Sequence, residues 1–399
     1  RNTCRFLHPF RTCIREMRKR ENVVHSLPTR LCAFLRREAV LSIALLCAAL
    51  SMLAVPPDAG YAGYIDLRVL CLLFCLMAVV AGLQQCGLFQ VLSQRLLSGR
   101  KQLRLLYLVL TLLPFFCSML ITNDVALLTF VPFTVLVLGR ISRTEALVRV
   151  VVLQTLAANL GSMATPVGNP QNLFLCSYYT LSFRSFLSVV LPLATASLLA
   201  LSAAALATPG ETIEIAFPRR ESITQPRLFV LLCLLFVLCL LSVVHVLHYG
   251  VLTGVVLLCL LLFARGLFAQ VDYALLATFV CFFIFAGNMG RIEPVRGALE
   301  LLMGRSSYWT SLAASQVISN VPAAVLLSGF TGNWQALLAG VNVGGLGTPI
   351  ASLASLISLK LYLRAEGASL PRFLAVFAAA NLAGLALLSL LAVLLGLTG

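Results

Sequence analysis

Residues 159–173 read "NLGSMATPVGNPQNL", a run of asparagine, glycine and proline in a chain otherwise dominated by leucine, valine and alanine. Its surroundings make it decisive. The 399 residues are 60% hydrophobic and 11% charged, with a mean hydropathy of +0.99, outside the range of water-soluble globular domains. Stretches such as "AVLSIALLCAALSMLAV" from Ala39 and "LFVLLCLLFVLCLLSVV" from Leu228 approach the roughly 17–25 apolar residues needed to cross a hydrocarbon core about 30 Å thick. No strand-like alternation of apolar and polar faces is visible, so the expected fold is an all-α polytopic membrane protein and not a barrel. In such a helix, Gly161, Pro166, Gly168 and Pro170 would strip backbone groups of their partners. That is tolerable at membrane depth only where the break is buried in protein or lines a polar site.

The break is duplicated. "NLGSMATP" at Asn159–Pro166 aligns without a gap to "NVGGLGTP" at Asn342–Pro349, with identity at four of eight positions. "AGLQQCGLF" from Ala81 has a counterpart in "AGNMGRIEP" from Ala286, and "ITND" at Ile121 in "ISNV" at Ile318. Both of the latter tips lie between short apolar arms, "LLYLVLTLLPFFCSMLI" and "VALLTFVPFTVLVLG" in the first half. The polar tip, with Pro114 and Pro132 in the arms, favours a re-entrant hairpin over two full spans. An odd number of crossings between the copies makes the two halves inverted repeats, each with a re-entrant hairpin and a broken helix.

The boundaries follow: a basic cytosolic extension at 1–38, a first transmembrane repeat at 39–207, a cytosolic linker at 208–227 and a second, inverted repeat at 228–399. The extension is too basic and too discontinuous for a cleaved signal. With the amino terminus in the cytosol, only Arg68, Arg184, Arg291, Arg296 and Arg305 of the 29 basic residues fall outside. The net charge of +15 is therefore topogenic, as the excess of Lys and Arg on cytoplasmic loops requires, and it implies no nucleic-acid partner. The location expected is the cytoplasmic membrane, and the lipid bilayer is the surrounding partner.

The side chains at the breaks carry neutral donors and acceptors: Thr122, Asn123, Asn159, Thr165, Asn169, Gln171 and Asn172 in the first half, with Ser319, Asn320, Asn342 and Thr348 in the second. With Gly161, Pro166, Gly168, Gly344 and Pro349 shaping the backbone, they suit a small anion or oxyanion, or a sodium ion held by freed carbonyls. Asp124 is the one acid expected at membrane depth, as a proton carrier or cation ligand. Asn123, Asp124 and Asn320 are candidates for a Na+ site. Asp58, Asp66 and Asp272 are read as loop or helix-end acids. His245 and His248, three apart on one helix face, have no matching pair elsewhere and are read as a helix-end pair near the lipid interface, and the cysteines show no metal spacing. The chain also lacks "GxSG", "HExxH" and "GxxxxGK[ST]", so neither an enzyme nor an ATP-driven pump is expected. No cofactor is implied beyond Na+ or H+ as coupling ion.

At these residues the chain resembles the ion transporter superfamily, which holds arsenite permeases, NhaD-type sodium/proton antiporters and citrate and dicarboxylate/sodium symporters. "TND…NLGSMATPVGNPQN" and "SNVPA…NVGGLGTP" look most like the arsenite permease and NhaD branch, over about residues 40–398. The resemblance implies a secondary active transporter, often a homodimer working by an elevator-like motion. In the carboxylate branch the hairpin tips carry Ser-Asn-Thr and contact substrate and sodium. Here the tips are Thr122, Asn123 and Asp124, then Ser319, Asn320 and Val321. The altered third position moves weight towards proton-linked chemistry. A Na+/H+ antiporter without organic substrate and an ion channel stay open as alternatives.

Overall fold

The computed structural model describes residues 38–398 except 98, 142, 209, 210 and 216–220. Apart from Glu38, the basic extension lies outside the described residues. The rest is nearly all helical. The first half runs α1 (Ala39–Ala54), α2 (Leu67–Gln85), α3 (Leu88–Leu97), a short strand β1 (Gly99–Gln102), α4 (Leu103–Ser118), α5 (Asn123–Arg140), α6 (Leu147–Ser162), α7 (Pro170–Tyr178) and α8 (Phe183–Leu206). Strand β2 (Thr212–Ile215) and α9 (Pro226–Val243) follow. The second half runs α10 (Tyr249–Phe263), α11 (Tyr273–Arg291), α12 (Glu293–Arg305), α13 (Ser307–Ile318), α14 (Asn320–Leu327), α15 (Trp334–Val343), α16 (Leu353–Tyr362) and α17 (Leu370–Leu394). Five of these helices, α2, α8, α9, α11 and α17, are long and apolar enough to cross a membrane.

The order of elements recurs, with α9 as the extra helix between the copies. Each copy has two helices, a short helix, a hairpin, a helix interrupted at the "NLGSMATP" or "NVGGLGTP" motif, and a long closing helix. The packing crosses between copies: α1 lies on α11 while α10 lies on α2, and α16 lies on α5 while α7 lies on α14. The acids at helix entrances repeat as well. Asp66 accepts from Val69 N at 3.0 Å at the start of α2, and Asp272 accepts from Leu275 N at 2.9 Å at the start of α11. Both are N-caps, as expected for acids that satisfy unpaired first-turn amides.

The two hairpins differ in reach. The arms α13 and α14 have 12 and 8 residues, a rise of about 18 and 12 Å at 1.5 Å per residue. They are far too short to span a ~30 Å core. The arms α4 and α5 have 16 and 18 residues, or about 24 and 27 Å. Pro114 sits inside α4 and cannot donate to the carbonyl of Leu110 one turn back. Gln154 of α6 fills that gap, its Nε2 donating to Leu110 O at 2.8 Å and to Thr134 Oγ1 at 2.7 Å. A buried glutamine thus compensates a proline on a neighbouring helix.

Two further features place the polar segments. β1 and β2 pair antiparallel from Gly99 opposite Ile215 to Gln102 opposite Thr212, so the segment after α8 lies on the same face as the start of α4. The histidine pair is not on one helix. His245 lies in the turn after α9 with φ 67°, and His248 is the N-cap of α10, because the chain reverses between them.

Candidate functional site

Both breaks are built the same way, and each is completed by the other half. Asn159 Oδ1 accepts from Asn123 Nδ2 at 2.9 Å and from Ser352 Oγ at 2.9 Å, while Asn159 Nδ2 reaches Ser355 Oγ at 3.5 Å. In the second half Asn342 Nδ2 donates to Asn172 Oδ1 at 2.7 Å, and Asn342 Oδ1 accepts from Asn169 Nδ2 at 3.4 Å. Continuing the gapless alignment pairs Asn169 with Ser352 and Asn172 with Ser355. The two motif asparagines therefore hold symmetry-equivalent partners across the repeat boundary. Ser162 ties the two flanks of the first break together: its hydroxyl donates to Asn159 O at 2.9 Å and accepts from Asn169 Nδ2 at 3.3 Å. Asn123, Asn159, Asn320 and Asn342 are each 4–7% exposed.

Helix starts converge on this network. Asn123 opens α5 and Asn320 opens α14. Asn169 caps α7, its Oδ1 accepting from Asn172 N at 3.1 Å, with Pro170 as first helical residue. Ser352 stands at the N-cap position of α16. Four helix amino ends, each carrying roughly half a positive charge, favour an anion or a carboxylate nearby. No lysine or arginine is needed for that preference.

The glycines permit close approach. A Cβ on Gly161 would lie 2.1 Å from Phe115 O, and one on Gly168 would lie 2.2 Å from Ser162 O. On Gly344 it would lie 2.8 Å from Ser315 Cβ, and on Gly345 it would meet Asn320 Nδ2 at 2.9 Å. The broken helices thus pack directly against the hairpins. The two threonines are ties of the same kind: Thr165 Oγ1 donates to Met119 O, and Thr348 Oγ1 to the equivalent Gln316 O at 3.0 Å. Thr165 and Pro349 are half-buried, Thr348 is exposed and Pro166 is buried.

Four of the carbonyls freed at the breaks accept hydrogen bonds from side-chain amides. Asn172 Nδ2 donates to Met163 O at 3.2 Å and to Thr165 O at 3.3 Å. In the second half Gln316 Nε2 donates to Gly344 O at 2.8 Å and to Leu346 O at 2.9 Å. Gln316, Ser352 and Ser355 are the partners that the motif reading passed over. The two serines were legible, since extending the alignment past the proline sets them opposite Asn169 and Asn172.

The hairpin tips differ. Thr122 is half-buried and makes no side-chain cap bond to α5. Asp124 N donates to Asn123 Oδ1 at 3.0 Å, and Asp124 Oδ1 is buried without a hydrogen-bond partner among the described residues. In the second half Ser319 is the single residue between α13 and α14, with φ 72° and ψ 155°, a region essentially confined to glycine. It is held there by Ser319 Oγ and Asn320 N, which donate to Ala351 O at 3.2 and 3.0 Å. Ser319→Gly should remove backbone strain of about 1–3 kcal/mol. Thermal unfolding in detergent should shift upward, while a lowered midpoint would mean that the hydroxyl bond outweighs the strain.

A multi-pass helical bundle whose paired helix breaks meet at a buried polar network has the architecture of a membrane transporter. Residues 31–354 match the family model described as citrate transporter, and the chain belongs to that family, within the ion transporter superfamily. It is 33% identical over 300 residues to an uncharacterized transporter of Methanocaldococcus jannaschii, covering 72% of this chain and 79% of the relative. It is 32% identical over 303 residues to the inner membrane protein YbiR of Escherichia coli, covering 74% and 80%. A silicon efflux transporter of Oryza sativa is 40% identical over 142 residues, 35% of this chain and 28% of the relative.

Proposed function

We propose that the chain is a secondary active transporter that moves a small anion, a carboxylate or an oxyanion, coupled to Na+ or H+. The observation that carries this reading is the exchanged asparagine network, in which Asn159 is completed by Ser352 and Ser355 and Asn342 by Asn169 and Asn172. A site whose two halves are each finished by the other repeat changes whenever the repeats move, which is what alternating access at a fixed midplane site requires. The four converging helix amino ends supply the anion preference. The family description and the silicon efflux relative support a small oxygen-rich solute. In this reading the repeats are inverted, the amino terminus is cytosolic, the membrane is the cytoplasmic one and the working unit is a homodimer.

Asp124 supplies the coupling. A buried carboxylate oxygen with no hydrogen-bond partner among the described residues suits a proton or, together with Asn123 and Asn320, a Na+ ion. This residue also favours the second reading, Na+/H+ antiport without an organic substrate. The test uses purified protein in liposomes with an internal pH dye, pulsed with Na+ alone and then with Na+ plus citrate, other carboxylates or arsenite. A response only on adding one anion supports the carrier and names its substrate class. A response to Na+ alone supports the antiporter, and non-saturating flux without counterflow supports a channel. Asp124→Asn should flatten the pH dependence of uptake, and an unchanged profile would remove Asp124 from coupling.

A further inference from the structure

Away from the breaks, helix ends enclose a cleft of about 440 Å³ whose lining includes Tyr107, Arg143, Glu145, Arg149, Glu211 and Arg372. Two helices, α6 and α17, begin there. A helix amino end is a positive region where acids are favoured and cations disfavoured. Yet Arg149 is the third residue of α6 and Arg372 the third residue of α17, and neither helix has a side-chain N-cap bond. Positive charge is therefore stacked on two positive helix ends.

The carboxylates of the cleft do not balance it. Arg143 engages both Glu145, at 3.5 Å, and Glu211. Arg149 turns one nitrogen, Nη2, to the carbonyls of Ala204 and Ala207 at 2.6 and 3.0 Å, which close the carboxyl end of α8. Arg372 turns Nη2 to Glu145 O at 3.3 Å. Each guanidinium has five N–H donors in a planar fork. Among the described residues, neither of these two forms an ion pair with a carboxylate. Leu103, Val148 and Val376 give the cleft an apolar wall.

We propose that this cleft binds a phosphate group, carried by the headgroup of an anionic phospholipid or free in the aqueous phase. Arg149 and Arg372 hold it through charge-assisted hydrogen bonds, with the amino ends of α6 and α17 behind them. Basic pockets between helices at a membrane face take lipid headgroups in this way, and the apolar wall suits the glycerol and upper acyl segments.

The test is native mass spectrometry of the full chain in detergent with phosphatidylglycerol, phosphatidylcholine or inorganic phosphate added. Phosphatidylglycerol or phosphate should be retained about tenfold better than phosphatidylcholine, and Arg372→Gln should lower that retention about tenfold, the loss expected for a hydrogen bond to a charged group. Arg149→Gln should do the same. Because Arg149 also braces α8, the exposed Arg372 keeps the experiment readable if the Arg149 variant does not fold. Retention of phosphatidylglycerol that phosphate does not displace assigns the lipid source, and displacement by phosphate assigns the soluble one. Equal retention of phosphatidylcholine, or retention unchanged in Arg372→Gln, overturns the proposal.

Discussion

Gly161→Ala and Gly168→Ala should each leave little monodisperse protein after extraction. The added methyl group would stand 2.1 Å from Phe115 O in the first case, and 2.2 Å from Ser162 O and 2.7 Å from Ser118 O in the second. All three neighbours are backbone atoms in buried segments, so no side-chain rotation relieves the contact. Overpacking a tight core costs about 1–3 kcal/mol and more where backbone must shift, a large share of a stability of about 5–15 kcal/mol. Gly254→Ala is the matched control: it lies in α10 with nothing within 4 Å of the new Cβ, and should gain up to about 1 kcal/mol of helix propensity. Size-exclusion profiles and thermal midpoints decide the matter. Normal yield and midpoint in Gly161→Ala would mean that α4 and α6 are not in direct backbone contact.

Asn159→Ala and Asn342→Ala should each reduce flux to background in the liposome assay while the protein still folds. Removing the Asn159 amide leaves Asn123 Nδ2 and Ser352 Oγ without their acceptor. Removing the Asn342 amide leaves Asn172 Oδ1 without its donor. A buried polar group left unsatisfied costs about 1–3 kcal/mol, but a shortened side chain forces no backbone to shift, so the protein folds while the network repacks. The pseudo-symmetric pairing makes the comparison informative, since both variants should fail in the same way. Near-normal flux in either would show that its network is helix glue and would shift the transport site elsewhere.

The membrane fold, the doubled break and the two motif asparagines were all legible, because each leaves a local mark. Long apolar runs, a Gly–Pro interruption and its repeat are visible in one dimension. What the chain hid were the compensations supplied from far away. Gln154 mends the gap left by Pro114, and Gln316 takes carbonyls of the second break, yet neither glutamine stands beside a break of its own that would mark it in the sequence. Ser352 and Ser355 were within reach of the extended alignment, which sets them opposite Asn169 and Asn172, but serine is common wherever helices pack closely and leaves no mark of its own. The histidine pair misled for the opposite reason: spacing of three suggests one helical face only if the helix continues, and the backbone turns at His245.

The exchange of partners between the halves also has a consequence in time. Asn159 waits for Ser352, 193 residues further along, and at a synthesis rate of about 5–20 residues per second that is a delay of roughly 10–40 s. Through that interval the first half sits in or beside the bilayer with Asn159 lacking its distant partners. The proline ring at Pro170 and the cap from Asn169 belong to the early half, so the start of α7 is specified before the late half arrives to dock on it. A ribosome stalled before residue 352 would therefore leave a nascent bundle with a wet, unfinished centre, and that species is the one a membrane quality-control protease would meet.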